Sequence, residues 1–317
     1  RGRKLAMAAL RSNRFSGMRS LAGRRGLHVL ALLDRADHRA VSLALEQLAR
    51  RLPQARVAVV KTTDGKQQAG APLPWGSMGW DGVNPATDVV LSAHWGRTIE
   101  GIDDAAVYDE VLARCPRLRW LHTMSTGVEH LPLEKMAGRG VTITHHTGVS
   151  DGALAEFAIA GLLHFGKQIP RLQAAQASRR WERFEHRTLT GATLGICGFG
   201  EIGRAIGRAA SRGLGMRVVA ISRRDLSPSE LRAGGAEGCV CIGDAEGQGG
   251  ARGDRLRWAL QAVDHLVLAL PHTANTAGLI GAAELALLRR RSATLVNVGR
   301  GSTIDEKVSR SFRLSAT

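Results

Sequence analysis

A short apolar run, a glycine-rich turn and a small-residue helical pattern follow one another in LGICGFGEIGRAIGRAA, residues 194–210. That order leaves few folds open. Glycines at 198, 200 and 203 fit G-x-G-x-x-G, and they lie between a buried strand and a helix within one strand–helix–strand unit, the context of a dinucleotide-binding turn. Each glycine has its own physical demand: Gly198 allows the tight turn, Gly200 lets the backbone approach a pyrophosphate, and Gly203 lets helix and strand pack closely. The amides at Phe199, Glu201 and Ile202, at the helix N-terminus, then face an anion. Glycine makes up 38 of the 317 residues, so the spacing alone also fits a tight turn without a ligand; the flanking strand and helix favour the dinucleotide.

The same alternation runs through most of the chain. LHVLALLD and ARVAVVKT read as strands around the amphipathic helix HRAVSLALEQLARRL, and a Gly/Pro-rich loop covers Asp64 to Pro85. TDVVLSAHW, LRWLHTM and VTITHH continue as strands, with a helix around AAVYDEVLARC. Residues 151–181 form a long helical pattern that Pro170 kinks or ends. The alternation restarts with ATLGICGFG, MRVVAIS, HLVLALP and ATLVNVG, and the Gly-rich stretch 243–254 reads as a flexible insertion. Strand alternating with helix predicts an α/β chain of two doubly wound parallel-sheet domains, 27–150 and 151–306, the second a Rossmann domain. Residues 1–26 read as a basic leader and 307–317 as a divergent tail.

The formal charge of +16 raises the question of nucleic acid. Half of that excess sits in residues 1–26, which carry eight Lys/Arg and no acid. Elsewhere the basic residues are scattered and no finger, zipper or aromatic RNA-binding motif is present, so a solvated basic surface is expected and a nucleic-acid partner is not. Two readings of the leader stand, an organelle transit peptide or a disordered segment, which puts the chain in the cytoplasm or in a mitochondrion or plastid. No run of apolar residues reaches the roughly 20 that span a bilayer. Cys115, Cys197, Cys239 and Cys241 lack zinc-ligand spacing, so free thiols and no metal are expected.

Which nicotinamide the turn would take is decided at the end of the next strand, where NAD-type sites place an Asp or Glu about 20 residues past the motif. Here Ser222, Arg223 and Arg224 stand instead. A hydroxyl and two guanidiniums suit a ribose 2′-phosphate, so NADP(H) is expected ahead of NAD(H). The alternative is plain surface charge at a strand end.

Together with GATLGICGFGEIG, the stretches VDHLVLALPHTANTAGLI and LLRRRSATLVNVGRGSTID resemble the D-isomer-specific 2-hydroxyacid dehydrogenases, over roughly residues 85–306. The resemblance implies an oxidoreductase that moves hydride between a nicotinamide cofactor and a small 2-oxo or 2-hydroxy acid. It implies that Leu270, Pro271 and Thr276 lie on the adenosine side, and that Val298, Gly299 and Arg300 lie under the nicotinamide and its ribose. Arg300 would hold the substrate's carboxylate and carbonyl oxygen, a task suited to a planar, permanently charged fork. Asn297 would order the backbone before it. TMSTGVEHL resembles the family's substrate loop, with Ser125, Thr126, Gly127 and Val128 receiving a carboxylate on backbone amides. His94 and Trp95 would stand near that loop, Gly148 to Ala155 would form the hinge, and two copies would pair through the cofactor domains.

One part of the family pattern is missing. The Glu/His pair that moves the proton lies beyond the arginine in the family, whereas GSTIDEKVSRSFRLSAT follows it here and matches only through about Glu306. His122, His130, His145 and His146 cluster near the substrate loop without standing in the family's motif. The expectation is therefore a C-terminally truncated chain that binds cofactor and turns over poorly. A non-catalytic nicotinamide-binding or redox-sensing module is the competing reading.

Overall fold

The computed structural model describes residues 28–33, 56–61, 77–78, 85–92, 104–123, 125, 127–145, 148–243, 252–290, 292–305 and 307–308. The chain divides into two units, Arg1–Val149 and Ser150–Thr317. The leader, the helix expected over 38–52, His94, Trp95, Thr126, His146, Glu306 and residues 309–317 lie outside the described residues.

The first unit holds β1 (His28–Leu33), β2 (Arg56–Lys61), β3 (Ser77–Met78), β4 (Val89–Ser92), β5 (Trp120–Thr123) and β6 (Thr142–His145). All pair in parallel, in the order β3-β2-β1-β4-β5-β6. The two-residue strand β3 falls inside the stretch expected to be loop, where glycine and proline density hides so short an edge. Helices α1 (Asp104–Arg114) and α2 (Leu133–Gly138) bring Tyr108, Val111, Leu112 and Met136 against Val90 and Leu121 of the sheet. These side chains are almost fully buried, and their removal from water is the main source of this unit's stability.

In the second unit β7 (Thr193–Cys197), β8 (Arg217–Ser222), β9 (Gly238–Cys241), β10 (His265–Leu268) and β11 (Thr294–Asn297) form a parallel sheet in the order β11-β10-β7-β8-β9. Helices α3 (Asp151–Gly166), α4 (Ile169–Ala177), α5 (Glu201–Arg208), α6 (Pro228–Gly234), α7 (Arg252–Ala262) and α8 (Ala282–Arg290) accompany it. The chain builds outward from β7 to β9 and then crosses to β10 on the other side, so the strand order reverses between β7 and β10. Ligands of open α/β sheets bind beyond the strand ends at this reversal.

Local sequence explains several boundaries. α3 stops at Gly166, four residues before Pro170, whose ring would clash with that carbonyl if the helix continued. Gln168 takes φ 51°, and Pro170 then sits in the first turn of α4, where its missing N–H costs nothing. Leu194, Ile196 and Cys197 of β7 are fully buried, as a central parallel strand covered on both faces requires. Two expectations need correction. Arg252–Asp254, read as part of a flexible insertion, form the first turn of α7, and β9 was not anticipated because GCVC is too short to show a period. All four cysteines are free thiols, and among the described residues no helix is long and apolar enough to cross a membrane.

Candidate functional site

The three motif glycines do different work at the end of β7. Gly198 has φ 95°, and a Cβ there would lie 2.5 Å from the Ala269 carbonyl oxygen. A Cβ on Gly203 would stand 2.1 Å from the Gly198 carbonyl oxygen, so α5 can only come this close to the turn with glycine at that position. Around Gly200, by contrast, a Cβ would meet nothing within 4 Å. The middle glycine therefore borders open space. The helix ladder begins with the Arg204 N–H donating to the Gly200 carbonyl at 2.9 Å. The amides of Glu201, Ile202 and Gly203 lie before it, and Gly200 brings no side chain to cap them. Open space in front of uncapped amides at a helix N-terminus fits a diphosphate.

Other motif side chains point elsewhere. Phe199, expected at the cofactor, has its ring buried in the core, where a Cβ on Gly234 would lie 2.4 Å from it. It can face a ligand only through its backbone. Ile202 packs on the same core, and the Glu201 carboxylate pairs with Arg204 at 2.7 Å. At the start of α3, burial and then the charge of Glu201 push the Asp151 carboxyl up, opposed by Arg208 and Arg204.

Two strands away, the end of β11 is held by a different device. The Asn297 side chain accepts the Gly299 N–H and donates to the Arg300 carbonyl, both at 2.9 Å. A Cβ on Gly299 would lie 2.6 Å from the Leu270 carbonyl oxygen, which brings the segment carrying Arg300 against the end of β10. Past Arg300, a turn at Gly301–Thr303 is fastened to the loop after β10: Gly278 N–H donates to the Ser302 carbonyl, Ile280 N–H to the Thr303 carbonyl, and the His272 ring meets Ser302 Oγ at 2.8 Å. Thr276 is spent within that loop, donating to the Pro271 carbonyl at 2.7 Å and accepting the Thr273 N–H at 2.8 Å. Its hydroxyl shapes the strand end beside Leu270 and Pro271.

At the end of β8 the Arg224 N–H approaches Ser222 Oγ at 3.4 Å, and both Arg224 guanidinium arms donate to Glu230 of α6. The Arg223 side chain is exposed and has no hydrogen-bond partner among the described residues. Crossing from β8 to β11 over β7 and β10 takes three strand spacings, about 14 Å, and places along one edge an arginine pair, an amide-lined turn and a third arginine.

A family model describing the D-isomer specific 2-hydroxyacid dehydrogenase NAD binding domain matches residues 159–308. By this match, residues 159–308 are similar to the NAD binding domain of that family. The chain is similar to the glyoxylate reductase of Thermococcus kodakarensis, 32% identical over 207 residues, covering 62% of this chain and 57% of that enzyme. Glyoxylate/hydroxypyruvate reductase B of Yersinia enterocolitica is 31% identical over 201 residues, covering 62% of this chain and 56% of that protein. The chain thus spans a little over half the length of these relatives. Its fold is that of the Aquifex aeolicus D-lactate dehydrogenase solved with NAD and lactic acid, at TM-score 0.63 and 21% identity over 89% of this chain and 72% of that one. A glyoxylate reductase from Paecilomyes thermophila superposes at TM-score 0.65 and 20% identity, over 89% and 76% of the two chains.

The stretch expected to act as a substrate loop lies in the first unit, after β5. There the Ser125 N–H turns back to Thr123 Oγ1 at 3.2 Å, the two hydroxyls meet at 2.8 Å, and Ser125 Oγ donates to the Gly127 carbonyl at 2.6 Å. Ser125 therefore shapes the loop and keeps its own amide inside it. Val128 packs its side chain on the core, and the amides of Gly127 and Val128 have no hydrogen-bond partner among the described residues. The His130 ring lies 5.7 Å from the Tyr108 ring, and the buried Tyr108 hydroxyl meets Ser92 at 2.9 Å. His122 bonds Thr144 Oγ1 at 2.8 Å, while His145 stands exposed. Sequence reasoning missed Glu230, His272 and Ser302; of these, only the Ser227-x-x-Glu230 capping pattern before a short apolar run left a readable signal.

Proposed function

We propose that this chain belongs to an oxidoreductase that moves hydride between a nicotinamide cofactor and a small 2-oxo or 2-hydroxy acid of the glyoxylate or hydroxypyruvate class, with NADP(H) ahead of NAD(H). The observation that carries this reading is the order of groups along the carboxyl edge of the second sheet. Ser222 and Arg223 at β8 suit the adenosine ribose and its phosphate, the amides after Gly198 suit the diphosphate, and Val298, Gly299 and Arg300 suit the nicotinamide end.

When bound, the reduced nicotinamide supplies the hydride. The chain's own residues bind and orient. Arg300, fixed by the Asn297 clamp, offers parallel N–H donors to a carboxylate and a carbonyl oxygen, and its permanent charge polarises that carbonyl. In the first unit the Gly127 and Val128 amides offer a second carboxylate-binding surface.

A homodimer is also proposed, on the exposed apolar side chains Phe157, Phe165 and Leu172 of α3 and α4, followed by Trp181. A partner copy covering these side chains would remove them from water, and sedimentation should give twice the chain mass.

Fluorescence titration with NADPH and NADH, followed by turnover on glyoxylate and hydroxypyruvate, tests the main reading. NADPH should bind more tightly, and Arg223→Ala should reduce that preference about tenfold. Equal affinities for the two cofactors in the natural chain would defeat the NADP(H) preference, and no binding of either would defeat the reading as a whole.

A further inference from the structure

The two arginines at the end of β8 are held alike through the backbone and differently through the side chain. From β9, Cys241 Sγ lies 3.4 Å from the Arg223 carbonyl and Cys239 Sγ lies 3.9 Å from the Arg224 carbonyl. A Cβ on Gly243 would overlap the Arg223 carbonyl, at 1.8 Å. The segment is thus fastened along its backbone. Its side chains then part: Arg224 makes a two-point ion pair with Glu230, at 2.5 and 3.1 Å, and Arg223 makes none among the described residues.

Glu230 is well anchored for a partly exposed carboxylate. It is the third residue of α6, and it accepts the Ser227 N–H at 3.0 Å while the Ser227 hydroxyl accepts the Glu230 N–H, a reciprocal cap. Arg224 and Ser227 together push its carboxyl down to about 2. Its negative charge is therefore present at every working pH, on a rigid helix start, with its oxygens shared between the cap and the Arg224 guanidinium.

We propose that Glu230 is a specificity-determining residue of the cofactor site: by occupying both arms of Arg224, it withholds that guanidinium from a ribose 2′-phosphate and leaves Arg223 as the cation that meets it. This rests on the cofactor reading above. A phosphate and a carboxylate compete for the same planar fork, and a carboxylate already fixed by a helix cap gives up little freedom to hold it. The consequence is a site whose preference for the phosphorylated cofactor is set below what two arginines could provide.

Glu230→Gln is the informative variant, because glutamine keeps the capping pattern and removes the charge. Binding of 2′,5′-ADP, ADP, NADPH and NADH should be followed by fluorescence or calorimetry, with no turnover required. In Glu230→Gln the NADPH and 2′,5′-ADP affinities should rise about fivefold, with NADH and ADP unchanged. Arg224→Ala should change NADPH binding little in the natural chain and should abolish the gain when combined with Glu230→Gln. A fall in NADPH affinity in Glu230→Gln would mean that Glu230 aims Arg224 at the phosphate, and would overturn the proposal. An unchanged ratio with intact NADH binding would overturn it too. Absence of binding by the natural chain would instead strike the cofactor reading itself.

Discussion

The turn after β7 and the loop after β5 each follow a parallel strand, one in each unit, yet they are stiffened by opposite means. The first is shaped by atoms that are missing: Gly198 and Gly203 approach neighbouring carbonyls so closely that any Cβ would overlap them, and no side-chain hydrogen bond caps the helix that follows. The second is shaped by atoms that are present, the hydroxyls of Thr123 and Ser125 and the carbonyl of Gly127. Steric exclusion is steep, whereas a hydrogen bond exchanged with water contributes only about 1 kcal/mol. The glycine turn should therefore fail abruptly when changed, and the hydroxyl loop by degrees. The end of β11 combines both devices, with Gly299 against Leu270 and Asn297 bridging to Gly299 and Arg300.

The largest effect should come from Gly203→Ala, which must move either α5 or the Gly198 carbonyl. A loss of about 3 kcal/mol in chemical denaturation and no measurable NADPH binding are expected; near-natural affinity would break the contrast at its root. Arg300→Lys comes next. It keeps the charge and loses the planar fork, so turnover on a 2-oxo acid should drop about 100-fold with the cofactor Kd little changed, and equal rates would remove Arg300 from its proposed role. Asn297→Ala deletes both bridging bonds and should lower stability by about 2 kcal/mol and turnover about tenfold, which sharpens the contrast by showing what the clamp adds to the glycine. Smallest is Ser125→Ala: about 1 kcal/mol, a rise of a few-fold in KM for the oxo acid, and an unaltered NADPH Kd. Damage from Ser125→Ala as severe as from Gly203→Ala would mean that the two loops do not differ in kind.

Much of the second sheet was legible because its strands are buried on both faces and read as uninterrupted apolar runs, LGIC, VVAI and HLVL among them. The break between α3 and α4 was legible from Pro170, whose effect reaches back four residues to Gly166. β9 and β3 were not, since two to four residues carry no period and take their strand geometry from the neighbour they pair with. Within the site, Gly198, Gly200 and Gly203 could be assigned separate tasks from spacing alone. Phe199 could not: its place in the motif suggested the ligand, and only the packing of α5 against α6 shows its ring enclosed beside Gly207 and Gly234. The serine of the first-unit loop was likewise placed by pattern, while the direction of its N–H back to Thr123 depends on the fold of the loop.

By itself the sequence determined where the backbone must bend and where it must come close, because those demands act between residues adjacent in the chain and only glycine or proline meets them. It also determined which residue types stand at each strand end. Tertiary structure alone decided how their charges are shared. Arg224 and Glu230 are six residues apart and separated by a turn and a helix start, and nothing local dictates that the guanidinium should turn to that carboxylate while Arg223 does not. Backbone shape follows from short-range sterics, but the allegiance of a long charged side chain follows from which partner the fold carries within reach of its tip.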